Sequence, residues 1–286
     1  MSKSANNRGS LTIVGSGIKA VQQITLESKQ AIEHADKVLY AVFDSVSEIW
    51  IKKTNPNSES LMDCFVEGKF RPDIYEEIVN QTMTYVREGL NVCVVYYGHP
   101  GVFVDPSRKS IMQARAEGFN ARMLPGISAE DCLFADLGVD PGTHGCQSFE
   151  ATGFLLRKPK FDTLTHLILW QVGSIGDFKH NPTNIDKSGL ITLGNFLEKY
   201  YDRNHEVIIY EAAQFAMCEP TIQRLPLSRL AIDAQINRSK ILYIPPKRLG
   251  SIDYGMANKL GLSQQFSPVN FRFSMKKLFR LESNDR

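Results

Sequence analysis

Three short turns of the chain carry residue types that can hold a small ligand against a protein backbone. Gly98-His99-Pro100-Gly101 ends the apolar run Val94-Val95-Tyr96-Tyr97 and leads into Val102-Phe103. Glycine lets a ligand approach the main chain closely, and aromatic residues flank this turn on both sides. His99 has two roles open to it, a ligand contact or a cap that closes the turn from within. Pro125-Gly126-Ile127-Ser128-Ala129 leads into a helix start, where backbone N–H groups suit an anion or a carboxylate. An ordinary capped helix has the same composition there, with Ser128 as the N-cap. Val14-Gly15-Ser16-Gly17 resembles the opening of a dinucleotide fingerprint, with Ala20 in place of the third glycine and Asp44 near the usual acidic position. Alone, that glycine pair is equally a tight turn that holds nothing. Three such turns in one chain point to a shared cofactor site.

These turns need rigid elements behind them. Residues 11–14, 37–43, 91–96 and 120–124 read as strands from their apolar, β-branched content. Between them the spacing predicts helices over 18–35, 48–53, 73–88 and 106–116, with Pro72 and Pro106 suited to first turns, and a long loop over 61–70. This alternation predicts a mostly parallel sheet with helices on both faces, and such sheets hold ligands at the carboxyl ends of their strands. Beyond it come a helix over 128–137, a loop at 141–145, strands over 146–152 and 165–172, and a polar, turn-rich stretch at 177–184. A helix over 190–201 and strands over 206–211, 221–225 and 241–244 follow, the last stopped by Pro245-Pro246. The short strands predict a mixed, partly antiparallel sheet. The fold class expected is therefore α/β in two domains: a flexible N-terminus over 1–10, an N-terminal domain over 11–125, a C-terminal domain over 126–247 and an arm over 248–286. The arm has a short helix at 257–262 and aromatics over 266–279, and its simplest role is packing on its own domain or on a second subunit.

The chain has 286 residues, enough to bury a sizeable core. It is 43% hydrophobic and 22% charged, ordinary values for a globular protein. A formal charge of +2 gives no nucleic-acid footprint. The five cysteines are scattered without metal-ligand spacing, and their odd number speaks against a disulfide framework. Reduced thiols in a cytoplasmic protein with no structural metal are the expectation. Residues 1–10 lack the apolar core of a signal peptide, and no apolar stretch is long enough to span a bilayer.

In order and spacing, the three turns resemble the tetrapyrrole methylase superfamily over about residues 10–247. Within it the chain is most similar to the borosin peptide α-N-methyltransferases. The segments that carry this are Arg71-Pro72-Asp73-Ile74-Tyr75, Tyr97-Gly98-His99-Pro100-Gly101-Val102-Phe103, Pro125-Gly126-Ile127-Ser128-Ala129-Glu130, Asp136-Leu137-Gly138-Val139-Asp140-Pro141-Gly142, Gln147-Ser148-Phe149-Glu150-Ala151 and Leu169-Trp170-Gln171.

The resemblance implies a homodimeric enzyme that uses S-adenosylmethionine, releases S-adenosylhomocysteine, and methylates backbone amides of a ribosomal peptide. It places the catalytic residues on Arg71, Tyr75 and Tyr97. It places cofactor contacts on Tyr97, His99, Val102, Phe103, Ser128, Ala129 and Gln171, and later ones at Tyr210, Ala212, Ala213 and Ile241. Two positions depart from the family pattern: Lys240-Ile241 replaces a Ser-Thr pair, and Phe65 replaces a tyrosine. Fused members carry an apolar, Val/Ile/Gly-rich substrate tail, whereas residues 275–286 are charged. A separate precursor peptide is therefore the expected partner, with neither nucleic acid nor membrane involved.

Amide methylation requires the N–H proton to leave and the negative charge on oxygen to be held, because the nitrogen lone pair is delocalised into the carbonyl. Arg71 stays cationic and offers a fork of donors, so it would bind that oxygen as an oxyanion hole does. Tyr75, four residues on, shares its helix face and would accept the proton, while Tyr97 would orient the methyl donor or share the proton relay. Two other readings predict different outcomes: a tetrapyrrole or other small-molecule methyltransferase, and a non-catalytic α/β binding protein. A nicotinamide-dependent dehydrogenase leaves the Gly-His-Pro-Gly turn without a role.

Overall fold

The computed structural model describes residues 9–181, 187–248 and 250–262. The chain divides into two compact units. The first holds residues up to Leu137 with Gly176–Ile185 and Glu211–Thr221, and the second holds Gly138–Ile175, Asp186–Tyr210 and the chain from Ile222. The division falls after Leu137 rather than at the Pro125-Gly126 turn, because that turn is locked to two others in the first unit, as described below.

The first unit contains β1 (Ser10–Gly15), α1 (Leu26–Glu33), β2 (Lys37–Ala41), α2 (Ser45–Thr54), β3 (Ser58–Ser60), α3 (Arg71–Arg87), β4 (Asn91–Tyr96), α4 (Asp105–Ala116), β5 (Asn120–Met123) and α5 (Ala129–Leu137). Its strands form one parallel sheet in the order β3-β2-β4-β1-β5. Side chains alternate across a strand, and this alternation builds two cores. Leu11, Ile13, Leu39, Val92 and Val94 pack with Ile74, Ile78 and Met83 of α3 and Ile111 of α4. Val14, Val38, Tyr40, Cys93 and Val95 pack on the opposite face with Ile32 of α1 and Ile51 of α2.

The second unit contains α6 (Pro141–His144), β6 (Cys146–Glu150), α7 (Ala151–Arg157), β7 (His166–Trp170), α8 (Ser188–Leu197), most of β8 (Glu206–Glu211), β9 (Thr221–Pro226), α9 (Leu230–Asp233), β10 (Ile241–Ile244) and α10 (Tyr254–Lys259). The sheet order is β6-β7-β10-β8-β9. It is mixed, since β6 and β7 run parallel while β10 runs antiparallel to β7 and β8. Phe154 of α7 and Leu190, Leu193 and Leu197 of α8 fill its core.

Four local expectations are corrected. The helix expected over 18–35 begins at Leu26. The Gln23 side chain accepts the N–H groups of Ile18 and Lys19, both at 2.9 Å, and holds that stretch as a loop. Thr25 then caps the helix by accepting the Ser28 N–H at 3.1 Å. Asp44 is the N-cap of α2, accepting the Ser47 N–H at 2.7 Å. The strand expected to reach residue 152 stops at Glu150, whose carboxylate caps α7 through the N–H groups of Thr152 and Gly153. The loop expected at 141–145 is the short helix α6, capped by Asp140. Residues 266–279 lie outside the described residues.

The three glycine turns meet at the carboxyl ends of adjacent strands β4, β1 and β5. Gly17 and Gly98 exchange backbone hydrogen bonds, 3.0 Å from the Gly98 N–H and 3.3 Å from the Gly17 N–H. A Cβ on Gly15 would lie 2.1 Å from the Gly98 oxygen and 2.9 Å from Pro100 Cδ. A Cβ on Gly126 would lie 3.0 Å from the same oxygen and 3.2 Å from Gly15 Cα. The turns therefore touch main chain to main chain.

Gly15→Ala must force backbone apart and is expected to destabilise by about 1–3 kcal/mol or more, the range for overpacking. Gly194→Ala in α8, where a Cβ meets nothing within 4 Å, is expected to be neutral or to stabilise by up to about 1 kcal/mol. Thermal unfolding of the two variants checks this, and an undisturbed Gly15→Ala protein would contradict the packing described.

Candidate functional site

In the first unit, Tyr97 follows β4 directly, and its N–H donates to the Ala41 carbonyl at 3.2 Å. Its ring meets Phe43 edge-on at 5.9 Å, Phe43 meets Phe65 at 6.3 Å, and Phe65 meets His180 at 5.5 Å. Burial pushes the Tyr97 phenol up to about 12, while a hydrogen bond with the Gln214 side chain pulls the other way. Near neutral pH Tyr97 is therefore a neutral phenol. Gln214 belongs to the segment that follows β8, and its carbonyl accepts the Ala20 N–H at 2.9 Å. Ala212 and Ala213, both buried, lie in that same segment.

His99 caps its own turn from within. The Gly101 N–H donates to His99 Nδ1 at 2.9 Å, which leaves the ring proton on Nε2. Val102 closes the turn by donating its N–H to the His99 carbonyl at 3.1 Å. Phe103 is 41% exposed and has φ +57°, a backbone conformation that costs energy for any residue but glycine and clusters at functional sites. Ser128 is the N-cap of α5, accepting the N–H groups of Glu130 at 3.2 Å and Asp131 at 3.3 Å. The Asp131 carboxylate accepts both the Ser128 N–H, at 2.6 Å, and its hydroxyl, at 2.8 Å. Both polar groups of Ser128 are thus engaged within the cap, and Ala129 opens the helix.

Arg71 is the first residue of α3, with Pro72 next and Tyr75 one turn later. Tyr75 packs against the α3 core of the first unit. The Arg71 guanidinium donates from Nη2 to the Asp177 carbonyl, and its main-chain N–H donates to the Phe178 carbonyl at 2.9 Å. Sequence reasoning saw 177–184 only as polar and turn-rich. No local signal marks a contact that spans 106 positions.

In the second unit, Gln171, Tyr210 and Ile241 share one end of the sheet. Ile241 pairs with Tyr210, and Leu242 pairs with Leu169, two residues before Gln171. Gln171 has φ +56°. Among the described residues only Val21, Phe103, Lys158 and Gln171 are non-glycine residues with positive φ, so two of four strained positions coincide with sequence-named contacts. Lys240 and Ile241 are both buried. A cavity of about 490 Å³ in this unit, lined by Thr143, His144, Thr165, Met256 and Leu260 among others, includes none of the residues named from the sequence. Among the described residues no helix is long and apolar enough to cross a membrane, and no group of three or more His, Cys, Asp or Glu could hold a metal.

Several curated proteins are similar to this chain. A "methyltransferase/ribosomally synthesized cyclic peptide gymnopeptides precursor" of Gymnopus fusipes is 43% identical over 266 residues, covering 91% of this chain and 63% of that protein. The corresponding omphalotin A precursor of Omphalotus olearius is 40% identical over 257 residues, covering 89% of this chain and 62% of that protein. The chain thus spans less than two thirds of the length of these relatives. Among solved structures, uroporphyrin-III-C-methyltransferase from Thermus thermophilus superposes with a TM-score of 0.61 at 16% identity, over 88% of this chain and 96% of that one. Cobalt precorrin-4 methyltransferase gives a TM-score of 0.58 at 19% identity, over 82% and 94%. At these identities the likeness is one of fold, and it agrees with the α/β architecture of a parallel and a mixed sheet. The family model for Tetrapyrrole (Corrin/Porphyrin) Methylases matches residues 10–228, and the chain belongs to that family.

Proposed function

We propose that this protein is an S-adenosylmethionine-dependent methyltransferase that N-methylates backbone amides of a ribosomally made precursor peptide, presented as a separate chain. The observation that carries this is the placement of Arg71 and Tyr75 on one face of α3, with the guanidinium held by a backbone carbonyl. The relatives whose names pair a methyltransferase with a cyclic-peptide precursor support the substrate class.

The methyl donor's sulfur is cationic, and the ring series Tyr97, Phe43 and Phe65 is a surface suited to a cation. When bound, S-adenosylmethionine supplies an electrophilic methyl group. The main chain of the Gly98–Gly101 turn, with Tyr97, Val102, Phe103 and Ala129, would hold the donor in the first unit, and the buried Ala212 and Ala213 lie in the segment that contacts Tyr97. Arg71 binds the amide oxygen and holds the negative charge that develops as the N–H proton leaves. Tyr75, having first given up its own phenolic proton, receives that proton as the phenolate, directly or through one water. Tyr97 orients and donates a hydrogen bond; burial keeps its own proton in place, so it does not serve as the base. Positioning of amide and methyl at short range supplies the remaining rate.

Arg71→Ala and Tyr75→Phe are expected to keep donor affinity, measured by calorimetry, and to lose about 100-fold or more in methyl transfer. Near-wild-type turnover in either variant sinks its assigned role. Tyr97→Phe is expected to lower the rate while leaving the shape of the pH–rate profile below pH ~10 unchanged, because a phenol held near 12 does not titrate there. Loss of a titration limb in that range would make Tyr97 a base after all. The substrate itself is tested by mass spectrometry of a candidate precursor peptide incubated with the protein and the donor. Backbone methyl additions are the expected result; an unchanged peptide alongside a methylated porphyrinoid would transfer the reading to a small-molecule substrate.

A further inference from the structure

The role given to Arg71 demands more order than its position supplies. It is the first residue of α3, where the positive end of the helix dipole disfavours a cation, and a long flexible side chain has many rotamers to lose. Residues 177–180 meet this need as a strap laid against residues 68–71. Phe70 pairs antiparallel with Lys179. The Gly68 N–H donates to the His180 carbonyl at 2.8 Å, the His180 N–H to the Lys69 carbonyl at 2.8 Å, and the Arg71 N–H to the Phe178 carbonyl at 2.9 Å. Ring contacts of Phe178 with Phe70 at 6.5 Å and of His180 with Phe65 at 5.5 Å anchor both ends.

The shape of this strap is set by one side chain. Asp177 Oδ1 accepts the Lys179 N–H at 2.8 Å, and Oδ2 accepts from Asn181 Nδ2 at 3.0 Å. The carbonyl of the same residue accepts a hydrogen bond from Arg71 Nη2. The side chain thus folds the turn that aims its own main-chain oxygen at the guanidinium. Building on the proposed role of Arg71, we infer that Asp177 is the positioning residue for that guanidinium, acting through it and not on the substrate. Glu77 and Asp73, though acidic and on α3, do not substitute for it: Glu77 pairs with Lys69, and Asp73 is exposed.

Asp177→Ala removes both acceptors, whereas Asp177→Asn keeps an oxygen for the Lys179 N–H. In the full-length protein, the ¹⁵N-guanidinium signals of Arg71, assigned with Arg71→Lys, report its order directly. Wild type and Asp177→Asn are expected to show restricted rotation that Asp177→Ala loses. In methyl transfer, Asp177→Ala is expected to lose on the order of 100-fold in kcat, the scale for a misplaced catalytic group. KM for the peptide is expected to stay within about twofold, and Asp177→Asn to recover most of the loss. A guanidinium equally restricted in Asp177→Ala, or a kcat within about twofold of wild type, overturns the inference. Failure of the wild-type protein to methylate any peptide would instead overturn the function proposed above, and the guanidinium signals would still decide the role of Asp177.

Discussion

Main-chain contact between three turns is the constraint on which the rest of the first unit depends. Gly15, Gly98 and Gly126 stand so close that a methyl group on Gly15 or Gly126 would press on another turn's backbone. A turn with a side chain at those points would hold β4, β1 and β5 farther apart at their carboxyl ends. The residues after each turn inherit their positions from this contact: His99 and Phe103 after the second, Ser128 and Ala129 after the third. Glycine here serves protein–protein closeness first, and any closeness to a ligand follows from it. The capped His99 ring and the closed Ser128–Asp131 box stiffen the same region.

Around that fixed point two half-buried polar groups are held in different ways. The Tyr97 phenol is pushed up by burial, and its ring continues into an aromatic series that ends at His180. Arg71 is a cation placed at a helix start and steadied by a carbonyl rather than by a carboxylate. A carboxylate partner would neutralise much of the charge that an amide oxygen is proposed to use; a neutral carbonyl orients the guanidinium and leaves its charge in place.

The strands and the glycine turns were legible because their signals are local. Continuous apolar, β-branched runs and a glycine after a strand need no knowledge of distant residues, and β1, β2, β4 and β5 lie close to where the pattern puts them. What escaped the pattern was settled by single side chains competing for backbone groups. The Gln23 side chain folds back on the N–H groups of Ile18 and Lys19 and holds that stretch as a loop ahead of α1, and Glu150 turns the end of a strand into a helix start. Asp44 has the spacing of a ribose-binding acid, yet it caps α2. The strap at 177–180 was invisible for another reason. Its meaning lies in residues 68–71, and nothing in a polar, turn-rich stretch names its partner.

That same separation has a consequence in time. The carbonyl that grips Arg71 is 106 positions downstream. A ribosome adding roughly 5–20 residues per second needs on the order of 5–20 s to deliver it. During that interval α3 and the glycine turns can assemble, while the guanidinium still lacks the Asp177 carbonyl. The first unit is therefore a fold that matures late: its scaffold is encoded early in the chain, and the contact that steadies its arginine arrives only after part of the second unit has been made.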